Sequence, residues 1–487
     1  MKKMLTVKII CNLIIISFFL TTVHAYQVEY KESIKKNNFI DFDPLVDIEV
    51  IVDIQKIRSL EKFDYPHPKI KKIDWLSDPD FFVTVFINDE EFKSNIWNNV
   101  KYINNPQFSP TLNVPDDEEN VSIKIQVRDW NIYGNKPCDI SGDILGFDVE
   151  LTYSIKTGHW TGDDRLGIED PSGYGRLNGC DDGSIFTNQN DVELWFNIYQ
   201  TDPDGDGIPY WTEVDVYGTD PAVNNTGEDA DGDRIPIEWE WKWGYDPFNK
   251  DSHNVLDPEQ DGLNNYEEYL TSQWGSDPFR QDIFIELDQM EESPNGVESI
   301  FPEGAKELLY TAFNRYNKVL HIDDGYMGGG EIIPFDWLTD EEELDDIYWH
   351  YFLHNNENNW RRWVFHYSLI VYDPGRAGFV FKRGAFVLSS NVTEFKIIPK
   401  TQRPKNIVYA SCYMHETGHT LDIYNQGVDN RDTYFPWQEG FWIWGRYKSC
   451  MNYRYVYRLV DYSDGSRIIN DFNDWVDMDL TAFQRPW

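Results

Sequence analysis

Three things are scarce in this 487-residue chain: cysteine, with five residues; positive charge, with 43 basic against 84 acidic side chains; and long apolar runs. The formal charge of −41 excludes nucleic acid and anionic membrane as default partners, because both repel an acidic surface. The one long apolar run, residues 9–20, is short for a membrane span and is interrupted by Asn12. It follows Lys2, Lys3 and Lys8 and precedes Ala25, so residues 1–25 read as a secretory signal. A secreted or extracellular protein with no stable membrane span after cleavage is expected. Removing Cys11 leaves Cys138, Cys180, Cys412 and Cys450, an even number in an oxidising setting. Two disulfides are expected; three pairings are possible, and chain proximity favours Cys138 with Cys180 and Cys412 with Cys450.

What is abundant is aromatic and acidic. Aromatic residues make up 16%, enough apolar surface to build cores despite the charge. The length implies about three domains. Residues 26–200 carry short β-branched and aromatic runs at 48–57, 81–87, 121–127, 144–153 and 192–198, separated by Pro, Gly, Asn and Asp, which predicts an all-β sandwich. The stretches 77–85 and 121–131 resemble the C2-domain family, and that resemblance implies calcium between Asp78 or Asp80 and Asp129. Asn131 stands where the family often has a further aspartate.

From Asp202 the composition changes. Asp202, Asp204, Asp206, Ile208 and Glu213 occupy positions 1, 3, 5, 7 and 12 of a calcium loop, with Gly207 at 6. A second copy has Asp229, Asp231, Asp233, Ile235 and Glu240, with Arg234 in the glycine position. A third has Asp257, Glu259, Asp261, Leu263 and Glu268. Each ends in Gly-x-Asp-Pro, at Gly218, Gly244 and Gly275, so residues 201–279 form a true repeat. Calcium needs six to eight hard oxygens, and alternating acids in a tight turn converge to supply them. The repeats resemble EF-hand loops and thrombospondin type 3 repeats. Short helices are expected at 209–217, 236–243 and 264–272, and the segment reads as a calcium-stiffened spacer.

Residues 280–487 read as strand 281–288, helix 303–318, strands 319–322, 363–372 and 378–389, then a helix carrying His415-Glu416-Thr417-Gly418-His419, an α+β order. Histidines four apart project from one helical face, with Glu416 beside them. Two imidazoles can hold zinc, and a carboxylate can deprotonate a zinc-bound water. Together with Ser449-Cys450-Met451-Asn452-Tyr453, this resembles the metzincin zinc peptidases. The whole arrangement resembles secreted prokaryotic, often archaeal, metalloproteases. The resemblance implies Met451 beneath the metal, Glu416 as base and then acid, Tyr453 as an oxyanion donor, and a protein or peptide substrate. It departs after His419: Asp422 stands in the family's glycine position and Asn425 in its ligand position. Asp429 is the expected third zinc ligand, with Asp422, Asp432 and Glu439 as alternatives. A competing reading is a non-enzymatic, calcium-binding surface adhesion protein with a vestigial zinc site.

Overall fold

The computed structural model describes residues 48–60, 78–115, 118–132, 134–164, 175–183, 190–424, 428 and 432–484. The expected secretory signal lies outside them. Among the described residues no helix is long and apolar enough to cross a membrane.

The first unit is a β-sandwich. One sheet has the order β10-β11-β1-β4, from β1 (Ile48–Ser59), β4 (Tyr102–Phe108), β10 (Arg176–Asn178) and β11 (Val192–Gln200), with β5 (Thr111–Val114) also on β1. The other has the order β3-β2-β6-β8-β9, from β2 (Phe81–Ile87), β3 (Glu90–Lys93), β6 (Asn120–Asp129), β8 (Val149–Ser154) and β9 (Trp160–Gly162). In this second sheet β7 (Lys136–Cys138) pairs with β6. Alternate residues point inward: Val50, Val52 and Ile54 from β1, Val83 and Val85 from β2, and Ile123 and Ile125 from β6 share one core. Ile54 and Ile57 both face that core at an odd spacing because a bulge between Ile54 and Lys56 shifts the register. The fourth expected strand starts only at Val149; Ile144 and Leu145 are exposed in a turn closed by the Gly146 N–H donating to Asp143.

One expectation within the sandwich is corrected. Cys138 and Cys180 are both buried and unbridged, and Cys180 Sγ instead lies 3.7 Å from an Asp191 carboxylate oxygen. Of the acids assigned to a C2-type calcium site, Asp78 faces Lys101 at 3.7 Å and Asp129 faces Lys136 at 3.5 Å. Ammonium groups therefore stand beside both carboxylates.

The repeats follow with two short helices, α1 (Ile237–Trp243) and α2 (Asn265–Thr271). The first of the three expected short helices is π-helical, at Thr212–Tyr217, ended by Gly218 in the left-handed region.

The C-terminal unit is built on β12 (Gln281–Met290), β13 (Lys318–Asp323), β15 (Phe365–Val371), β16 (Gly378–Lys382) and β17 (Ala385–Ser389), in the order β13-β12-β15-β17-β16; β14 (Ile332–Ile333) also pairs with β12. The pairings β12 with β13, β12 with β15, and β15 with β17 are parallel, and only the edge strand β16 is antiparallel. The expected strand 378–389 is thus a hairpin turning at Gly384. Side chains alternate across β12. Ile283, Ile285 and Leu287 pack on α3 (Glu303–Asn314) and on the long helix that carries His415, while Phe284 joins a second core on the opposite face. Helix α3 stops before the expected residue 318 because Asn314 is used across the domain interface and Asn317 turns with φ +55°.

That interface is polar and buried. Glu193 is fully buried; it pairs with Arg176 and accepts a 2.5 Å bond from the Asn314 amide. Arg176 also donates to Asn317, Arg58 pairs with Glu307 at 2.5 Å, and Arg315 donates to the Leu60 carbonyl. Removing one member of a buried charge pair leaves the other uncompensated, at a cost of about 3–5 kcal/mol. Arg176→Ala should therefore lower the unfolding free energy by up to that order, Arg58 remaining 4.0 Å from Glu193, a loss read as a lower denaturant midpoint and as limited proteolysis of the repeat segment. An unchanged midpoint would show that this network does not join the two units.

Candidate active site and metal centres

The helix that carries the paired histidines spans Gln402–Thr420; α4 (Glu341–Ile347), α5 (Arg361–Val364) and α6 (Ser390–Lys396) precede it, so it is α7. Pro404 lies in its first turn, where a missing N–H breaks no intrahelical bond. Every residue from Ile407 to Gly418 is buried, as the apolar flanks of the motif imply. The helix ends where Asp422 adopts φ +59° and the Ile423 N–H donates back to Gly418. Asp422 is exposed and supplies the left-handed turn that a glycine would, a conformation short acidic side chains tolerate. This turning role accounts for Asp422 better than zinc ligation does.

The imidazoles of His415 and His419 lie 4.8 Å apart, centroid to centroid, with their planes at 83°. His415 Nδ1 donates to the Cys450 carbonyl at 2.8 Å, which leaves Nε2 with its lone pair free. Burial pushes the pKa of His415 down to about 4 and that of His419 down to about 3, so both rings are neutral, the form that ligates a metal. This donor set fits zinc. Glu416 is buried beside them, and burial raises its carboxyl pKa to about 8. A Cβ on Gly378 of β16 would come within 2.6 Å of Glu416 Oε1, so the carboxyl group lies against the sheet edge.

A Cβ on Gly418 would meet Met451 Sδ at 2.4 Å, so the Met451 side chain packs directly against the helix at the motif. The turn is held by Ser449 Oγ accepting from the Met451 N–H and by Asn452 donating to the Trp444 and Tyr447 carbonyls. Cys412 and Cys450 are unbridged. The helix and the turn are joined by the His415–Cys450 hydrogen bond and by Tyr462, whose hydroxyl donates to the Met414 carbonyl. The ring of Tyr453 stands 5.4 Å from that of His415, centroid to centroid. A second phenol, Tyr424, stacks on His419 at 5.1 Å; no motif marks it in the sequence.

The expected third ligand, Asp429, and the Asn425 position lie outside the described residues. Asp432 accepts from the Gly440 N–H near the start of α8 (Glu439–Ile443), and Glu439 is exposed at that start. A cleft of about 720 Å³ opens beside Tyr453, lined by Phe395, Ile407, Phe441, Arg454 and Tyr457.

All three acidic loops gather their carboxylates. Asp202, Asp204 and Asp206 converge, as do Asp229, Asp231 and Asp233, and Asp257, Glu259 and Asp261. Glu213, Glu240 and Glu268, the twelfth residues, are fully buried. In loop one, Asp202 accepts from the Gly205 and Gly207 N–H groups. Ile208, Ile235 and Leu263 are buried, and each donates its N–H to the aspartate two residues before it. Gly207 and Gly262 turn with positive φ, and Arg234 adopts φ +89° in the same position of loop two.

No family model matches the chain, and no curated protein matches it. Solved structures with similar segments include human GIVD cytosolic phospholipase A2 in complex with methyl gamma-linolenyl fluorophosphonate and terbium chloride (11% identity, 32% of this chain and 18% of that one, TM-score 0.19). A structure of a C2 domain is another (8% identity, 31% and 98%, TM-score 0.18), as is a C2 domain of plant Extended Synaptotagmin 1 (14%, 32% and 97%, TM-score 0.17). The chain thus spans less than a fifth of the phospholipase. C2 domains are among these neighbours; the sandwich itself stands on its sheet order and shared core.

Without cations the loops strain against their own charge. Burial, then neighbouring carboxylates, raise Asp204 to about 6 and Glu259 to about 10; Glu213 is raised to about 7, mainly by burial. A carboxyl whose folded pKa exceeds its unfolded value holds more protons folded than unfolded, so the cation-free fold loses stability as pH rises from about 4 through these values. A bound cation removes that penalty. The gap in Tm between calcium-loaded and chelator-treated protein should widen from about pH 5 to about pH 8 in calorimetry. A gap independent of pH would mean these carboxylates do not bind the ion.

Proposed function

We propose that this chain is a secreted, calcium-stabilised zinc endopeptidase with its active centre on α7. The observation that carries the reading is the arrangement of His415, His419 and Glu416 on one buried helix, with His415 oriented by the Cys450 carbonyl above Met451. His415 and His419, with Asp429 as the third expected donor, would hold the zinc. Bound there, zinc supplies a Lewis acid and a water of lowered pKa.

The chain's own groups have separable tasks. Glu416 would take a proton from the attacking water and return it to the departing amine nitrogen, a task that needs its ionised form, which a cation held beside it favours. Strand β16 ends the sheet, so its outer edge can pair with an extended peptide and present a carbonyl to Glu416 beneath Gly378. Tyr453, whose ring lies 5.4 Å from that of His415, would donate to the oxygen that gains charge. The cleft next to it, aromatic and apolar with Lys396, Arg403, Arg454 and Arg458 at its wall, suits a large side chain of the substrate. Calcium in the acidic loops stiffens the segment between the sandwich and this unit.

Glu416→Gln should keep the zinc and lose about 10²–10⁴-fold in kcat on unfolded casein. Equal rates for a folded, zinc-loaded variant and the parent would overturn the mechanism. A parent chain that binds calcium but neither holds zinc at His415 nor cleaves casein would favour the adhesion reading.

A further inference from the structure

The three acidic loops are not equivalent. In loop one, Asp206 uses one carboxylate oxygen on the Ile208 N–H at 2.8 Å and the other on the Asn225 N–H at 3.2 Å. In loop three, Asp261 accepts likewise from Leu263 at 2.8 Å and from the Asp282 N–H at 2.7 Å. In loop two, Asp233 accepts from Ile235 at 2.8 Å, but its other oxygen is buried with no hydrogen bond. Facing that oxygen is the imidazole of His253, the single histidine of residues 201–279.

His253 is built into place. Its side chain is 2% exposed, and its ring stacks on Tyr245 at 4.5 Å and 13°. Nδ1 and the backbone N–H both lie 2.8 Å from one Asp251 oxygen, so Nδ1 carries a hydrogen and Nε2 is the atom turned toward the loop. That Nε2 has no hydrogen-bond partner. It points between Asp233 Oδ2, at 3.3 Å, and Glu240 Oε1, at 3.4 Å, and both Glu240 oxygens are themselves buried without a partner.

These separations discriminate between two occupants. A protonated Nε2 between two carboxylates would close to about 2.7–2.9 Å. Two donor atoms each about 2.1 Å from a common ion lie about 3.0 Å apart at right angles and about 3.4 Å apart at the tetrahedral angle. The observed spacing is that of ligands around an ion. Calcium selects oxygen, whereas an imidazole held by a carboxylate suits zinc and its neighbours.

We propose that the second acidic loop is a nitrogen–oxygen site for a borderline divalent transition ion such as zinc, with His253 Nε2, Asp233 and Glu240 as ligands. It is therefore a structural centre separate from the α7 site and differs in metal from loops one and three. The proposal shares the cation-loop reading of the repeats and is independent of peptidase activity.

The test uses the full chain, stripped of metal, refilled with excess calcium and a few equivalents of zinc, and counted by elemental analysis after dialysis. His415→Ala removes the α7 site, and this chain should retain one zinc and two calcium ions. Adding His253→Gln should remove that zinc and leave the two calcium ions. Should that variant misfold, Asp251→Asn leaves the ligands intact and should weaken zinc binding about 10–100-fold, as loss of an orienting partner does. Cobalt in place of zinc should give a d–d band in the His415→Ala chain that fades with either change. Three calcium ions and no zinc in the His415→Ala chain would overturn the proposal, as would a zinc count indifferent to His253 and Asp251. Failure of the peptidase reading alone would leave the His253-dependent zinc in place.

Discussion

The hydrogen bond from His415 to the Cys450 carbonyl is the contact on which the candidate active site turns. Helix α7 is buried along most of its length, so its polar atoms have to be met by protein rather than by water. Meeting one imidazole nitrogen with a carbonyl aims the other nitrogen outward and brings the 449–452 turn under the helix. Gly418 is then the residue that fits, because a side chain there would occupy the space of Met451 Sδ. The same close packing lets Tyr462 reach the Met414 carbonyl and lets Gly378 approach Glu416. One orienting bond thus fixes the ring, the turn below and the strand above into a single arrangement.

The acidic loops obey a different rule. There the difficulty is like charge: three or four carboxylates meet in a few residues, and each Glu in the twelfth position is driven into the interior. Backbone N–H groups relieve part of the repulsion, and the rest has to be met by a cation. The joints of the molecule are polar for a related reason. Where the sandwich meets the C-terminal unit, Glu193 is compensated by Arg176 and Asn314 rather than by apolar packing. A chain with nearly twice as many acidic as basic residues thus commits scarce arginines to buried acids.

Much was legible in the sequence because it depends on local periodicity. Alternation marked β1, β2, β6 and β11, amphipathic spacing marked α3, the HExxH motif with its apolar flanks marked α7, and the Asp-x-Asp-x-Asp spacing marked the loops. The misreadings have a common cause. Residues 378–389 look like one strand because Gly384 is a single weak turn signal. The disulfide expectation rested on compartment and chain proximity, neither of which specifies where a sulfur points.

What the sequence by itself determined is the inventory and its local geometry: two histidines on one helical face with a glutamate beside them, three acidic loops, and strands with one apolar side. Those follow from bonded geometry and spacing alone. Only the tertiary structure decided which distant groups meet: the Cys450 carbonyl with His415, Gly378 with Glu416, Tyr424 with His419, and His253 with Asp233 and Glu240. Such meetings depend on how whole elements pack, and packing answers to the summed shape and charge of many residues, which no short window of sequence contains.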